Sequence, residues 1–444
     1  MNVIAITVLM FASMILLLMT GRQVFVILGA IATIAALALW GVGGERMPFI
    51  QTYSYLHWYP LLSLPPFVCM GLTLSRSGVA DKLFQALYLW IGPLRGGLAM
   101  ADVGLSTLVS AMSGTNIASM VTSTSISLPA MLKRKYDKTL VIGTVLAGGS
   151  LGFLIPPSVV FILYGMIAKV SIGHLWLAGI LPGLLLAALL IAYIGIRCRL
   201  QPHLGPAIPP EERVDWGEKF RTLRAGIAPV ILIFVVLGLL FMGVTTLIEC
   251  ASIGATGAIV IAALNHRLNW KMFRGIMDET LKITTMILWI FVAAMLFAAV
   301  FDGLGAIHAV ETILTTVSGG NPWGMLIVMQ LSFFLMGMVL DDTAMLVIVA
   351  PLYIPIVANL GFSLVWFGVL YVLNCQMAFI TPPFGYNLFV MRGLIPYVAP
   401  GSGITITDIY RSALPFIGIQ AVCLVSIMLF PQVALFLPNM FFSS

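Results

Sequence analysis

Charge is what this chain of 444 residues has least of: 9% of them are Asp, Glu, Lys or Arg, against 61% that are hydrophobic. A soluble globule carries about a quarter charged residues. So little charge cannot cover a surface of this size against water, and lipid must replace water around most of it. Cysteine is also scarce. Cys69, Cys198, Cys250, Cys375 and Cys423 form no CxxC and no cluster with histidine, and they lie in apolar runs or at the end of one. They read as small packing residues. There is no HExxH, which removes a zinc protease, and no GxxxxGK[ST], which removes a nucleotide-driven pump within this chain. The N-terminus, MNVIAITVLM, lacks the basic stretch of a signal peptide and reads as a retained first span. The net charge of +6 does not point to nucleic acid, because the basic residues sit in short loops between apolar runs. That is how membrane topology is written.

What the chain has in quantity is apolar runs broken by 42 glycines and 24 prolines. Both residues are tolerated in membrane helices, and both mark places where helices break. Ordinary spans read at 3–20, 23–42, 59–75, 175–196, 226–246, 248–265, 283–301 and 411–438. Each is near the ~20 residues that cross the hydrocarbon. Two further regions, 97–168 and 323–395, are apolar but interrupted by Gly, Ser, Asn, Asp and Pro. Each reads as a re-entrant helical hairpin followed by a span with a broken middle. The fold class is therefore an all-α polytopic membrane protein with about ten spans and two re-entrant hairpins. Scaffold helices and an arm fill 1–96, a first transport unit 97–168, further scaffold 169–322, a second transport unit 323–395, and a last span 396–444.

With the first hairpin on the cytoplasmic side, Arg46 and Lys169 fall outside, and the other 20 of the 22 basic residues fall inside or at the inner interface. This bias sets the orientation. It puts both termini on the outer side and makes 197–225 the longest cytoplasmic loop. Segment 266–282, HRLNWKMFRGIMDETLK, reads as an interfacial amphipathic arm.

The chain also repeats itself. FLIPPSVVFILYGMIA (153–168) aligns with FITPPFGYNLFVMRGL (379–394) at an offset of 226. At the same offset Pro129 meets Pro355, and Thr115-Asn116 meet Asp341-Asp342. The equivalent loops differ in charge: 133–138 (KRKYDK) carries four basic residues and 359–364 (NLGFSL) none. One should face the cytoplasm and the other the outside, which makes the repeats inverted, a frequent plan of secondary transporters.

Each broken helix and hairpin tip leaves backbone groups unpaired at mid-membrane. Such groups cost several kcal/mol each unless a cavity, ion or ligand satisfies them. Helix N-termini attract anions and carbonyl ends attract cations, so two such units facing each other make a site for both. Asp341 at a hairpin tip costs roughly 2.5–3.5 kcal/mol on insertion scales. Two readings are open: coupling to an ion or substrate, or capping of the broken hairpin. Asp342 points about 100° away on a helix, so the two acids are not expected to share one ion. Ser110 and Ser113, at i and i+3, share a helix face, for ion binding or for close helix packing. Gly152, Pro156, Pro157, Pro382 and Pro383 read as helix breakers. Arg392 reads as snorkelling to the cytoplasmic surface. No Arg or Lys is expected at the midplane site.

These residues resemble a known family. SGTN…LPAMLKRKYDKTL…GGSLGFLIPPSVVFILYG…SIGHLWLAGILPGLL looks like the first-repeat signature of the large (M) subunit of tripartite ATP-independent periplasmic (TRAP) transporters, and LDDTAMLVIVAPLYIPIV…ITPPFGYNLFV like the second. The resemblance implies an elevator-type fold of the ion-transporter superfamily and sodium-driven uptake of an organic anion, a carboxylate such as a C4-dicarboxylate or sugar acid. It implies two partners, an extracytoplasmic solute-binding protein and a small four-span membrane subunit expected as a separate chain. It implies a bacterial inner-membrane location, sodium as coupling ion and no organic cofactor.

Carried over by resemblance, a first sodium site falls on Ser110 and Ser113 with backbone oxygens of Gly152, Ile155 and Pro157. Ser113, Ser158 and Asp341 match polar positions for substrate or coupling. A second sodium site follows from internal symmetry at Gly337, Ala378, Thr381 and Pro383. The serines have no hydroxyl counterparts there, since the offset lands on Met336 and Val339. Thr115-Asn116, where smaller residues are expected, and the second acid Asp342 depart from the family pattern.

The nearest rival is a stand-alone sodium/divalent-anion symporter of the same superfamily, which needs no binding protein. An intramembrane protease is more remote, because the two adjacent acids do not come from facing helices. A passive channel would not need paired inverted hairpins. Inversion is directly testable: single cysteines at Lys135 and Asn359 should react with an impermeant thiol reagent from opposite sides of the membrane, and labelling from one side contradicts it.

Overall fold

The computed structural model describes residues 3–18 and 20–442. Among the described residues the regular structure is helical throughout, with no β-strand. Among the described residues five helices are long and apolar enough to cross a bilayer alone: Ile172–Leu200, Leu247–Leu264, Trp270–Gly303, Asp342–Asn359 and Ile406–Leu429. Trp216–Phe241 makes a sixth if its 47° bend is counted as one span. Val3–Leu18 and Val24–Leu39, at 16 residues each, reach only about 24 Å at 1.5 Å per residue. All five cysteines are free and buried, as packing residues should be.

The two irregular regions fold as four helices each. The first hairpin is Gly97–Ser113 and Asn116–Lys133, followed by a span broken between Lys138–Ser150 and Val159–Ala168. The second hairpin is Pro322–Gly337 and Asp342–Asn359, followed by Leu364–Phe379 and Tyr386–Val398. Both Pro-Pro pairs, Pro156-Pro157 and Pro382-Pro383, lie in the breaks and are cis.

The repeat extends well beyond these units. Val79–Ile91 has its counterpart in Ala306–Ser318, Val24–Leu39 in Leu247–Leu264, Leu64–Arg76 in the second half of Trp270–Gly303, and Ile172–Leu200 in Ile406–Leu429. The halves exchange contacts reciprocally. Leu64–Arg76 packs on Leu247–Leu264, while Trp270–Gly303 packs on Val24–Leu39. Asn116–Lys133 packs on Tyr386–Val398, while Asp342–Asn359 packs on Val159–Ala168. Lys138–Ser150 packs on Ile406–Leu429, while Ile172–Leu200 packs on Leu364–Phe379. Neither half can bury its apolar faces without the other, so the two form one core.

Three features differ from the sequence reading. Segment 266–282 is not a separate arm: its helical part is continuous with the next span as Trp270–Gly303, a single helix of 34 residues. Its repeat counterpart, Met47–Leu56, is a separate short helix with no buried residue, laid along Trp270–Gly303. The last span stops at Leu429, and Pro431–Phe442 is a distinct helix, because a proline cannot donate the backbone bond that would continue it. Val79–Ile91 and Ala306–Ser318, each 13 residues, were not singled out as elements.

The 197–225 loop is tied to the first hairpin. Arg134 at the hairpin's end donates to Glu212 and lies over the Tyr88 ring at 5.1 Å. The Arg134 guanidinium holds the exposed Glu212 carboxyl below its ordinary range.

Candidate functional site

The first tip is Ser113-Gly114-Thr115-Asn116. Gly114 ends the first arm in the left-handed region at φ 63°, which glycine adopts without a Cβ penalty. A Cβ there would also lie 2.1 Å from the Pro157 carbonyl oxygen. A Cβ on Gly152 would lie 2.6 Å from the Thr115 carbonyl oxygen, and one on Gly71 2.6 Å from that of Ser113. The tip is thus seated between the break and the scaffold helix Leu64–Arg76, and Val159 N–H donates to the Gly114 carbonyl at 3.2 Å.

Of the residues predicted for the first cation site, all are buried and four meet at this tip. Ser110 donates to Ser119 Oγ at 3.2 Å, and Ser113 to the Thr115 carbonyl at 3.4 Å. Gly152 and Pro157 bracket the tip through the close approaches above. Ile155 sits between them in sequence and packs near Gly183 of Ile172–Leu200. Among the described residues no hydrogen bond is donated to the carbonyl oxygens of Gly152, Ile155 or Pro157. Ser158 caps the helix after the break: its hydroxyl donates to the Phe153 carbonyl at 2.6 Å and accepts from Phe161 N–H at 3.4 Å.

The second unit is built on the same plan but is more closed. A Cβ on Gly337 would meet Ala378 Cβ at 2.8 Å, so hairpin and break touch directly. The Ala378 carbonyl accepts from Thr381 N–H at 3.1 Å, and the Thr381 carbonyl from Gly385 N–H at 3.0 Å. Tyr410 donates to the Pro383 carbonyl at 2.9 Å, and Thr381 Oγ1 to the Met377 carbonyl at 2.7 Å. The oxygens that stand bare in the first unit are therefore engaged here.

Asp341 is the N-cap of Asp342–Asn359, accepting from Ala344 N–H at 2.6 Å, so the capping reading describes its hydrogen bond. It also borders a cavity of about 620 Å³ shared with Arg22, Lys282, Phe25 and Trp289. Arg22 and Lys282 on that lining are exposed side chains. Asp342 does not join it in that cavity; its carbonyl accepts from Tyr371 at 2.7 Å. Arg392 is exposed.

The two breaks meet face to face. Phe153 packs on Phe379, its own repeat counterpart, edge to face at 5.2 Å. Asn116 at the first tip and Asn387 after the second break form a reciprocal amide pair, 2.6 and 3.2 Å. Both are buried, so each amide satisfies the other. The sequence reading noted Asn116 but not Asn387; a polar residue just past PPFGY in an apolar run was the available signal. It also passed over Asp102, an acid in the apolar stretch GLAMADVGL. Residues 148–152, GGSLG, match the GxSxG pattern of serine hydrolases. Ser150 however ends a buried helix, donates to Ala147 at 2.7 Å and accepts from Gln420 at 2.8 Å. No strand leads into it, so the string is no nucleophile elbow.

Interlocked hairpins and opposed broken spans define a polytopic membrane protein of the transporter class. Residues 11–433 match the family described as the tripartite ATP-independent periplasmic transporter, DctM component. The chain is 32% identical to the C4-dicarboxylate TRAP transporter large permease protein DctM of Pseudomonas aeruginosa, over 88% of each chain. It is 30% identical to the ectoine/5-hydroxyectoine TRAP transporter large permease protein UehC of Ruegeria pomeroyi, over 98% of this chain and 99% of that one. The fold resembles the crystal structure of the Alcanivorax borkumensis YdaH transporter, titled as having an unusual topology, with a TM-score of 0.65 at 16% identity, covering 97% and 99%. The chain belongs to the tripartite ATP-independent periplasmic transporter family, as its DctM component. It is a transporter permease and not an enzyme.

The amide pair yields a stability test. Asn387→Leu strands the Asn116 amide and should lower unfolding stability by about 1–3 kcal/mol. Adding Asn116→Leu should recover part of that loss, since an apolar pair strands nothing. Strictly additive losses in thermal unfolding would show the pair is not coupled.

Proposed function

We propose that this chain carries out sodium-coupled uptake of a small organic anion, delivered by an extracytoplasmic solute-binding protein, in complex with a small four-span membrane subunit. The observation that carries the reading is that the buried carbonyls of the first break, Gly152, Ile155 and Pro157 among them, receive no hydrogen bond among the described residues, at the tip of the hairpin arm that carries the buried Ser110 and Ser113. Bare oxygens in a low-dielectric interior are costly, and oxygen-only ligation suits a hard cation. A sodium ion there removes the cost. The second site, at Gly337, Ala378, Thr381 and Pro383, binds its ion by sharing the Ala378, Thr381 and Pro383 carbonyls, which already accept one bond and keep a second lone pair.

The anion belongs on the opposite side of each break. The N-termini of Asn116–Lys133, Val159–Ala168, Asp342–Asn359 and Tyr386–Val398 all begin at a tip or break, and helix N-termini favour negative charge. Bound sodium adds positive charge, so ion and anion stabilise each other. Ser113, Ser158 and Asp341 stand between the two. The relatives named for C4-dicarboxylate and for ectoine support a small carboxylate-bearing solute. The hairpin-and-break units move as one body against the scaffold, an elevator in the inner membrane with both termini periplasmic.

Reconstitution in liposomes tests this. Uptake should require the binding protein, the small subunit and an inward sodium gradient together; uptake by this chain alone supports a stand-alone symporter instead. Asn caps a helix as well as Asp, so Asp341→Asn removes the charge and keeps the cap. Asp341→Asn and Ser113→Ala should each reduce uptake to background at normal expression. Normal transport by both variants contradicts the assigned site.

A further inference from the structure

Asp102 takes no part in either break. It lies within Gly97–Ser113, and among the described residues it is the one Asp, Glu, Lys or Arg that is fully buried. Ser123 donates to its Oδ1 at 2.6 Å. The Ser127 hydroxyl also faces the carboxyl, while Oδ2 and the buried hydroxyls of Ser106 and Ser127 lie outside full hydrogen-bond geometry with any partner. Helical spacing brings these atoms together: Asp102 and Ser106 are four apart on one arm, Ser123 and Ser127 four apart on the other. Gly148 of the first broken span closes the remaining side. A Cβ there would lie 3.0 Å from Ser106 Oγ and 3.7 Å from Asp102 Oδ2.

Helical serine and threonine hydroxyls commonly bond back to a carbonyl one turn earlier. Thr107, in the same helix, does so to Val103 at 2.8 Å. Ser106 and Ser127 do not. The basic side chains of the helices packed around Asp102, among them Arg76, Lys82, Lys133, Lys138 and Arg197, are exposed or half-buried, so none shares its burial. A carboxylate enclosed without a counter-charge costs several kcal/mol, and no side chain here supplies the charge.

We propose that Asp102, Ser106, Ser123 and Ser127 form an occluded site for one small monovalent cation, a sodium ion or a proton. The carboxyl neutralises the cation and the serine hydroxyls complete its oxygen shell. Ser119 donates to the Ser106 carbonyl at 3.3 Å and accepts from Ser110 at 3.2 Å. The Ser110 and Ser119 hydroxyls thus link the first arm near its tip to the Ser106 main chain, and occupancy at Asp102 fixes how the two hairpin arms sit beside Ser110.

Infrared difference spectra of the full chain in lipid nanodiscs, wild type minus Asp102→Asn, isolate this carboxyl. A carboxylate band that shifts when sodium replaces choline identifies a sodium site. A protonated-carboxyl carbonyl band indifferent to sodium identifies a proton site. A carboxylate band that responds to neither sodium nor pH overturns the proposal. Should Asp102→Asn fail to fold, Ser127→Ala replaces it: the proposal requires that variant to shift the Asp102 band, and an unshifted band overturns it.

Discussion

Within a bilayer the main chain has no water to turn to, so every N–H and C=O must find a partner in protein or in a bound solute. That constraint organises this molecule. Two spans are interrupted at Pro-Pro pairs, and each hairpin tip lies beside a break, so main chain is released from helical bonding in the middle of the protein. In the first unit the released groups are only partly re-satisfied. Val159 N–H finds the Gly114 carbonyl, and Ser158 caps its helix, but among the described residues the carbonyls of Gly152, Ile155 and Pro157, with those of Leu154 and Pro156, stay without a donor.

Close packing holds this arrangement open. Gly71, Gly114 and Gly152 let three stretches of backbone approach within distances no side chain would allow. The reciprocal exchange of helices between halves then locks the breaks against each other through Phe153 and Phe379. An isolated broken span would simply refold its kink or expose it to lipid. Here each break is buttressed by the other half's hairpin, which is how a costly backbone conformation persists. The two units are not equal, however. The Tyr410 hydroxyl and the Thr381 N–H engage the Pro383 and Ala378 carbonyls in the second, whose equivalents at Pro157 and Gly152 are bare in the first. The pseudo-symmetry of the backbone therefore hosts an asymmetric chemistry.

Much of this was legible in the sequence because proline acts locally. Pro156, Pro157, Pro382 and Pro383 cannot donate backbone bonds, so they announce the breaks wherever they stand, and a constant offset of 226 tied the landmarks together. What stayed hidden depends on contacts between distant segments. Val79–Ile91 and Ala306–Ser318 are too short to read as spans and are fixed by packing against Trp216–Phe241 and Val3–Leu18. Asn387 gains meaning only when Asn116, 271 residues away, is seen opposite it. The cavity that Asp341 shares with Arg22, in the loop before Val24–Leu39, and Lys282, in Trp270–Gly303, is likewise made only by the fold. Asp102 was visible as an acid in an apolar run, but its orphaned neighbours were not.

The central claim is that metal ions complete main chain that the fold leaves bare. Cryo-electron microscopy of the full chain, once in sodium and once in choline, measures this directly. Compact density against the carbonyl oxygens of Gly152, Ile155 and Pro157 and the hydroxyls of Ser110 and Ser113, present in sodium and lost in choline, is the predicted result. Identical density in both salts, or carbonyls turned to protein donors in both, would contradict it.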